Sequence, residues 1–119
     1  MDQNNVSLEN LRLLLRQFVK EREWEQFHYP KNLAISVAVE ASELLEIFMW
    51  LTPDQSDAID DRRRQRAEEE IGDVLLCLLN LAGRLGIDPV QAAYAKLKEN
   101  AKKYPVEASR GTAKKYDEL

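Results

Sequence analysis

Apolar residues recur along this chain at the spacing of helices, not of strands. Leu8, Leu11, Leu14, Leu15, Phe18 and Val19 form one stripe with Ser7 before it as an N-cap, so the pattern predicts a helix from Ser7 to Glu23. The connector that follows, Trp24-Glu25-Gln26-Phe27-His28-Tyr29-Pro30, is more aromatic than a surface loop requires. A second helix is predicted from Asn32 to Trp50 or Leu51, broken by Thr52-Pro53-Asp54. A third, long helix is predicted from Ser56 or Asp57 to Leu85. In it Ile71, Val74, Leu75, Leu78, Ala82 and Leu85 repeat as one stripe, and Gly86 supplies the stop. Asp88-Pro89 opens a fourth helix carrying Val90, Ala93, Tyr94, Leu97 and Ala101, which Tyr104-Pro105 closes. The polar segment 106–119 is expected to be loosely ordered, leaving a core of about 7–105. There is no repeat, and little glycine or proline to punctuate hairpins. The expected fold is therefore all-α, a bundle of four to five helices.

The placement of four acids breaks the polar-outside pattern. Glu40 and Glu43 are i, i+3 neighbours on the second helix. Leu33, Val37, Leu44, Ile47 and Leu51 lie within about 60° of Glu40 on a wheel of 100° per residue. That helix is apolar nearly all round, the mark of a buried helix. An ionised carboxylate stranded there must protonate, find a cation or bind a metal. Glu70 and Asp73 repeat the i, i+3 arrangement on the flank of the third helix's apolar stripe. Helices joined by a short connection pack antiparallel, which would bring the two pairs together. Two readings are open at this point. One is a hard dication held by oxygen ligands, Mg²⁺ or Mn²⁺ rather than Zn²⁺. The other is a pair of buried salt bridges to lysines or arginines of another helix. Glu68 and Glu69, with Arg62 to Arg66 upstream, read as a solvated surface.

Composition narrows the function. The 119 residues imply a single domain spanning 1–119, a size at which many helical chains complete their core by oligomerising. A net charge of −4 argues against a nucleic-acid polymer as partner but not against a mononucleotide arriving with Mg²⁺. One cysteine, Cys77, allows no internal disulfide and suits a reducing cytoplasm. No signal peptide or membrane-spanning run is read from the sequence, so no membrane partner is expected.

The order Trp24-Glu25-Gln26-Phe27-His28, Pro30, Asn32-Leu33, Glu40-x-x-Glu43, Phe48-x-Trp50 and Glu69-Glu70-x-x-Asp73-Val74 resembles the all-α nucleoside triphosphate pyrophosphatases, the MazG-like proteins. The nearest likeness is to the dCTP pyrophosphatase branch, and it runs from Leu8 to Pro105. The resemblance implies Mg²⁺ ligands at Glu40, Glu43, Glu70 and Asp73. It implies a nucleotide pocket lined by Trp24, Glu25, Gln26, Phe27, His28 and Trp50. The implied reaction is hydrolysis of a (deoxy)nucleoside triphosphate, dCTP or a related pyrimidine nucleotide, to the monophosphate and pyrophosphate. A homodimer or homotetramer with pockets between subunits is also implied. Two positions depart from the branch. Leu15 stands where a substrate-contacting histidine is expected, and Cys77 where a tyrosine is, so base and sugar preference is open while the acids are intact.

Other residues carry two readings each. Trp24, Phe27 and His28 either stack on a base or plug the end of the bundle. Lys96, Asn100 and Lys103 share a face of the fourth helix at i, i+4 and i+7, next to Tyr104; they meet a triphosphate or form a solvated face. Cys77 reads as a small residue near the pocket. Glu43 is the expected proton acceptor. The non-hydrolytic alternatives are a helical oligomerisation module or adaptor. Within hydrolases, the alternative is an enzyme clearing non-standard nucleotides.

Overall fold

The computed structural model describes residues 5–119, so the first four positions of the expected domain lie outside the described residues. Six α-helices are present among them, with no strand. They are α1 (Leu8–Glu21), α2 (Pro30–Phe48), α3 (Pro53–Asp57), α4 (Asp61–Leu85), α5 (Pro89–Lys103) and α6 (Val106–Ser109). Single 3₁₀ turns lie at Glu25–Phe27 and Tyr116–Glu118. The chain divides into two compact units, Met1–Gly86 and Ile87–Leu119.

Local capping chemistry sets the helix boundaries. The Ser7 hydroxyl accepts from the Asn10 amide at 3.1 Å and starts α1. Pro30, with its fixed φ and missing N–H, occupies the first turn of α2, two residues earlier than expected. Gly86 ends α4 at φ +67°, a left-handed conformation that costs a residue without Cβ nothing. The Asp88 carboxylate accepts from the Val90 and Gln91 amides at 3.0 and 3.1 Å and opens α5.

The predicted long third helix is corrected: it is two helices, α3 and α4. Two caps lie eight residues apart and define separate starts. Thr52 and Gln55 exchange side-chain bonds with each other's backbone amides at 3.2 and 2.9 Å, a capping box that nucleates α3 at Pro53. Asp60 then accepts from the Arg63 amide at 2.8 Å and opens α4. Ala58, at φ −125° and ψ 47°, leaves the helix between them. The Ala58 amide closes α3 on the Gln55 carbonyl at 3.2 Å, and the Arg63 amide goes to the Asp60 side chain instead of to a continuing helix.

In the first unit α2 packs along α4, and α1 lies against α4 as well. The buried apolar residues among those described are few: Val19, Leu33, Ile47, Ala67 and Leu79. Leu33 and Ile47 come from the stripe that flanks Glu40, so the best-packed part of α2 holds that acid in place. Other apolar positions of the same unit stay open to solvent in the single chain, among them Ile35, Val39, Leu45, Met49 and Ile71. In the second unit, Tyr104 and Tyr116 meet edge to face with centroids 6.2 Å apart, and the Lys103 ammonium lies 4.9 Å from the Tyr116 ring centre. That contact ties the 3₁₀ turn of the polar C-terminal segment to the end of α5.

Candidate metal centre

Glu40 and Glu43 project from α2, and Glu70 from α4. Each offers a carboxylate oxygen, and these oxygens lie within 4.8 Å of one another. Glu40 and Glu70 are half-buried and Glu43 is exposed. One oxygen of each half-buried acid, Glu40 Oε2 and Glu70 Oε2, is shut away from solvent without a hydrogen-bond partner. Buried polar atoms are nearly always satisfied, so one unsatisfied oxygen on each of two acids of this cluster leaves room for a partner of another kind.

The electrostatics agree. Burial pushes the Glu40 carboxyl up to about 7 from 4.5, and the neighbouring Glu43, Asp73 and Glu70 add to the rise. The Glu70 carboxyl is also raised, chiefly by burial. Its bond with Glu40 opposes the rise, while the charges of Glu43 and Asp73 reinforce it. Asp73 is exposed and is not one of the three converging acids, but both half-buried carboxyls feel its charge. No lysine or arginine among the described residues pairs with any of these four acids. The salt-bridge reading therefore has no cation to rest on. Oxygen-only ligands with excess negative charge and open coordination fit a hard dication.

A pH dependence follows. The folded Glu40 holds its proton more tightly than an unfolded glutamate does. In metal-free protein its contribution is fully present below pH about 4.5 and is lost as the pH rises through about 7. Metal-free Tm is expected to fall across that window, and added Mg²⁺ to raise Tm more at the alkaline end, where protons no longer compete. Differential scanning fluorimetry across pH, with EDTA or Mg²⁺, measures both.

Cys77 is half-buried one turn beyond Asp73. Burial raises its thiol pKa, and Glu40 and Asp73 push the same way, which favours the protonated thiol over a nucleophilic thiolate. Trp24 meets Phe18 edge to face at 5.8 Å. The connector is held by Asn32, whose amide donates to the Phe27 carbonyl at 3.1 Å, and by Gln26, which donates to the Glu23 carbonyl at 2.9 Å. Trp50 is 86% exposed and Phe27 60%, so within one chain neither ring has a stacking partner enclosed around it. Lys96, Asn100, Lys103 and Tyr104 all belong to α5 or its cap, in the second unit, where Lys103 and Tyr104 engage Tyr116.

The sequence reading missed a cleft of about 250 Å³ between α1, the connector and the C-terminal part of α4. Its walls include Arg12, Leu15, Arg16, Glu25, His28 and Asn80, with Arg84 beyond. The signal was present in α4. Asp73, Cys77, Asn80 and Arg84 recur at i, i+4, i+7 and i+11, which continues the acid-bearing face toward the helix end.

A model of the MazG-like family matches residues 35–119. The dCTP pyrophosphatase 1 of Bos taurus is 42% identical over 116 residues, which cover 95% of this chain and 68% of that protein. The Homo sapiens dCTP pyrophosphatase 1 is 39% identical over 115 residues, at the same coverage. The crystal structure of a pyrophosphatase from Archaeoglobus fulgidus superposes with a TM-score of 0.78 at 43% identity, covering 82% of this chain and 92% of that one.

Proposed function

This chain belongs to the MazG-like family, and on that premise we propose that it is a Mg²⁺-dependent nucleoside triphosphate pyrophosphohydrolase. Its substrates are (deoxy)nucleoside triphosphates, pyrimidine nucleotides such as dCTP among them, and its products are the monophosphate and pyrophosphate. The observation that carries the metal assignment is the buried, unpartnered oxygen on each of Glu40 and Glu70, two acids that cluster with Glu43.

Glu40, Glu43 and Glu70 would hold the ion, with Asp73 completing the set. When bound, Mg²⁺ supplies charge neutralisation at the phosphate oxygens and acidifies the attacking water. Glu43 is the exposed member of the cluster and accepts the water's proton. Attack at the α-phosphorus releases pyrophosphate. Trp24, Phe27, His28 and Trp50 stack on and enclose the base, with Glu25 and Gln26 shaping the connector. Cys77 is the small wall between base and acids. Lys96, Asn100, Lys103 and Tyr104 are proposed triphosphate contacts. Pyrophosphate release from a panel of deoxy- and ribonucleoside triphosphates, with Mg²⁺, Mn²⁺ or EDTA, tests the reading. Release that EDTA abolishes supports it; no release from any nucleotide by folded protein with Mg²⁺ overturns it.

The assembly proposed with this function is a homodimer or homotetramer. Ile35, Val39 and Leu45 of α2 and Met49 at its C-cap are each about half exposed, apolar surface that a partner can cover. A second copy covering that surface completes the core and encloses the exposed rings. Sedimentation equilibrium is expected to give dimer or tetramer for the native chain, and a smaller species for Leu45→Glu. A native chain that stays monomeric at micromolar concentration contradicts this assembly.

A further inference from the structure

α1 ends in a turn that is usually given to glycine. The Glu23 amide donates to the Lys20 carbonyl and the Trp24 amide to the Val19 carbonyl, both at 3.1 Å. Glu23 closes this Schellman turn at φ 54°, a left-handed conformation that strains any residue with a Cβ. The turn brings Trp24 back against Phe18 of α1. The backbone on both sides of Trp24 is then fixed. The Trp24 carbonyl accepts from the Phe27 amide at 2.9 Å, and the Glu23 carbonyl accepts from the Gln26 side chain at 2.9 Å. The freedom left to Trp24 is rotation of its ring about the side-chain torsions.

Phe18 and Arg22 take up that freedom. The Phe18 and Trp24 rings stand edge to face, with centroids 5.8 Å apart and planes at 78°. The Arg22 guanidinium lies 3.6 Å from the Phe18 ring centre and donates to the Phe18 carbonyl at 3.0 Å. Glu21 lies 3.9 Å from the same guanidinium. Arg22 thus engages Phe18 by ring and by backbone, and Phe18 engages Trp24. The stack does not serve burial, since Phe18 stays 43% exposed and Trp24 44%. Phe27 and Trp50, the other rings proposed to meet the base, have no ring or cation contact among the described residues. Trp24 is the one of these rings that the chain orients by itself while leaving its surface open. A stacking platform needs that combination, because a π-face must be accessible and ordering it in advance spares affinity.

Resting on the pyrophosphohydrolase reading, we propose that Phe18 and Arg22 are positioning residues, which hold the Trp24 ring in the orientation that stacks on the base. They act through Trp24 and not on the nucleotide. An edge-to-face pair shifts the balance between a held and a free ring by a factor of about 2 to 10. Apparent affinity falls with the fraction of protein whose ring is set. Base stacking is equally present in the ground state and the transition state, so its loss raises KM and leaves kcat.

Steady-state kinetics on the deoxynucleoside triphosphate that the native chain hydrolyses fastest reads this split. Phe18→Leu and Arg22→Ala are each expected to raise KM by about threefold to tenfold, with kcat within about twofold of native. Phe18→Tyr keeps the ring and is expected to restore the native KM. Arg22→Lys keeps the charge without the flat guanidinium and is expected to fall between. A purely structural contact would lower Tm and the active fraction, and with them kcat, at native KM. If Phe18→Leu fails to fold, Arg22→Ala decides, since that side chain is 43% exposed. A KM that Arg22→Ala leaves unmoved, a fall in kcat alone, or a Phe18→Tyr no better than Phe18→Leu overturns the proposal and leaves the hydrolase intact. No release from any nucleotide by folded native protein with Mg²⁺ overturns the hydrolase reading itself.

Discussion

Glu40→Gln is expected to lower Mg²⁺-dependent pyrophosphate release by on the order of 10³-fold or more, the scale on which groups stabilising transition-state charge act. The substitution keeps shape and removes charge at the acid whose oxygen is buried without a partner. Because Glu40 is pushed up to about 7 by burial and three neighbouring acids, removing its charge relieves repulsion in metal-free protein. The variant should therefore be at least as stable as the native chain in EDTA, yet gain little Tm from Mg²⁺. Loss of activity with an unaltered Mg²⁺-induced shift would show that Glu40 acts elsewhere than at the metal. Asp73→Ala is expected to lose turnover as well, since both half-buried carboxyls feel its charge. Circular dichroism separates these losses from unfolding.

Leu79→Ala is expected to destabilise the chain by about 2–5 kcal/mol, the usual cost of a cavity in a packed core. Leu79 is 2% exposed, the most enclosed residue of a small core, and it lies beneath the cleft with Val19 of α1. Few other buried side chains are available to close the space. Glu68→Ala, on the solvated side of α4, should change stability by no more than about 0.5 kcal/mol. Urea unfolding at one fixed protein concentration compares the two, and equal midpoints would contradict this description of the core.

Much of this architecture was legible from spacing. The apolar stripes placed α1, α2 and α5 within about two residues, because period and caps agree there. Glu40 drew attention because it interrupts an apolar face, and the structure brings Glu43 and Glu70 to it. Other features were hidden for physical reasons. The break at Ala58 turns on two side-chain caps competing with helix continuation, a balance of local hydrogen bonds that periodicity does not register. The arginine cleft joins α1 to the far end of α4, so its residues are scattered in sequence and meet only in the fold. Asp73 stands apart from the three converging carboxylates, a distinction that i, i+3 spacing alone does not make.

The most direct test of the central claim is hydrolysis of a deoxynucleoside triphosphate in ¹⁸O-water, with Mg²⁺ or with EDTA, the products resolved by mass spectrometry. The account predicts label in the monophosphate, unlabelled pyrophosphate, and no reaction in EDTA. Label in pyrophosphate, release of orthophosphate, or turnover that survives EDTA would contradict it.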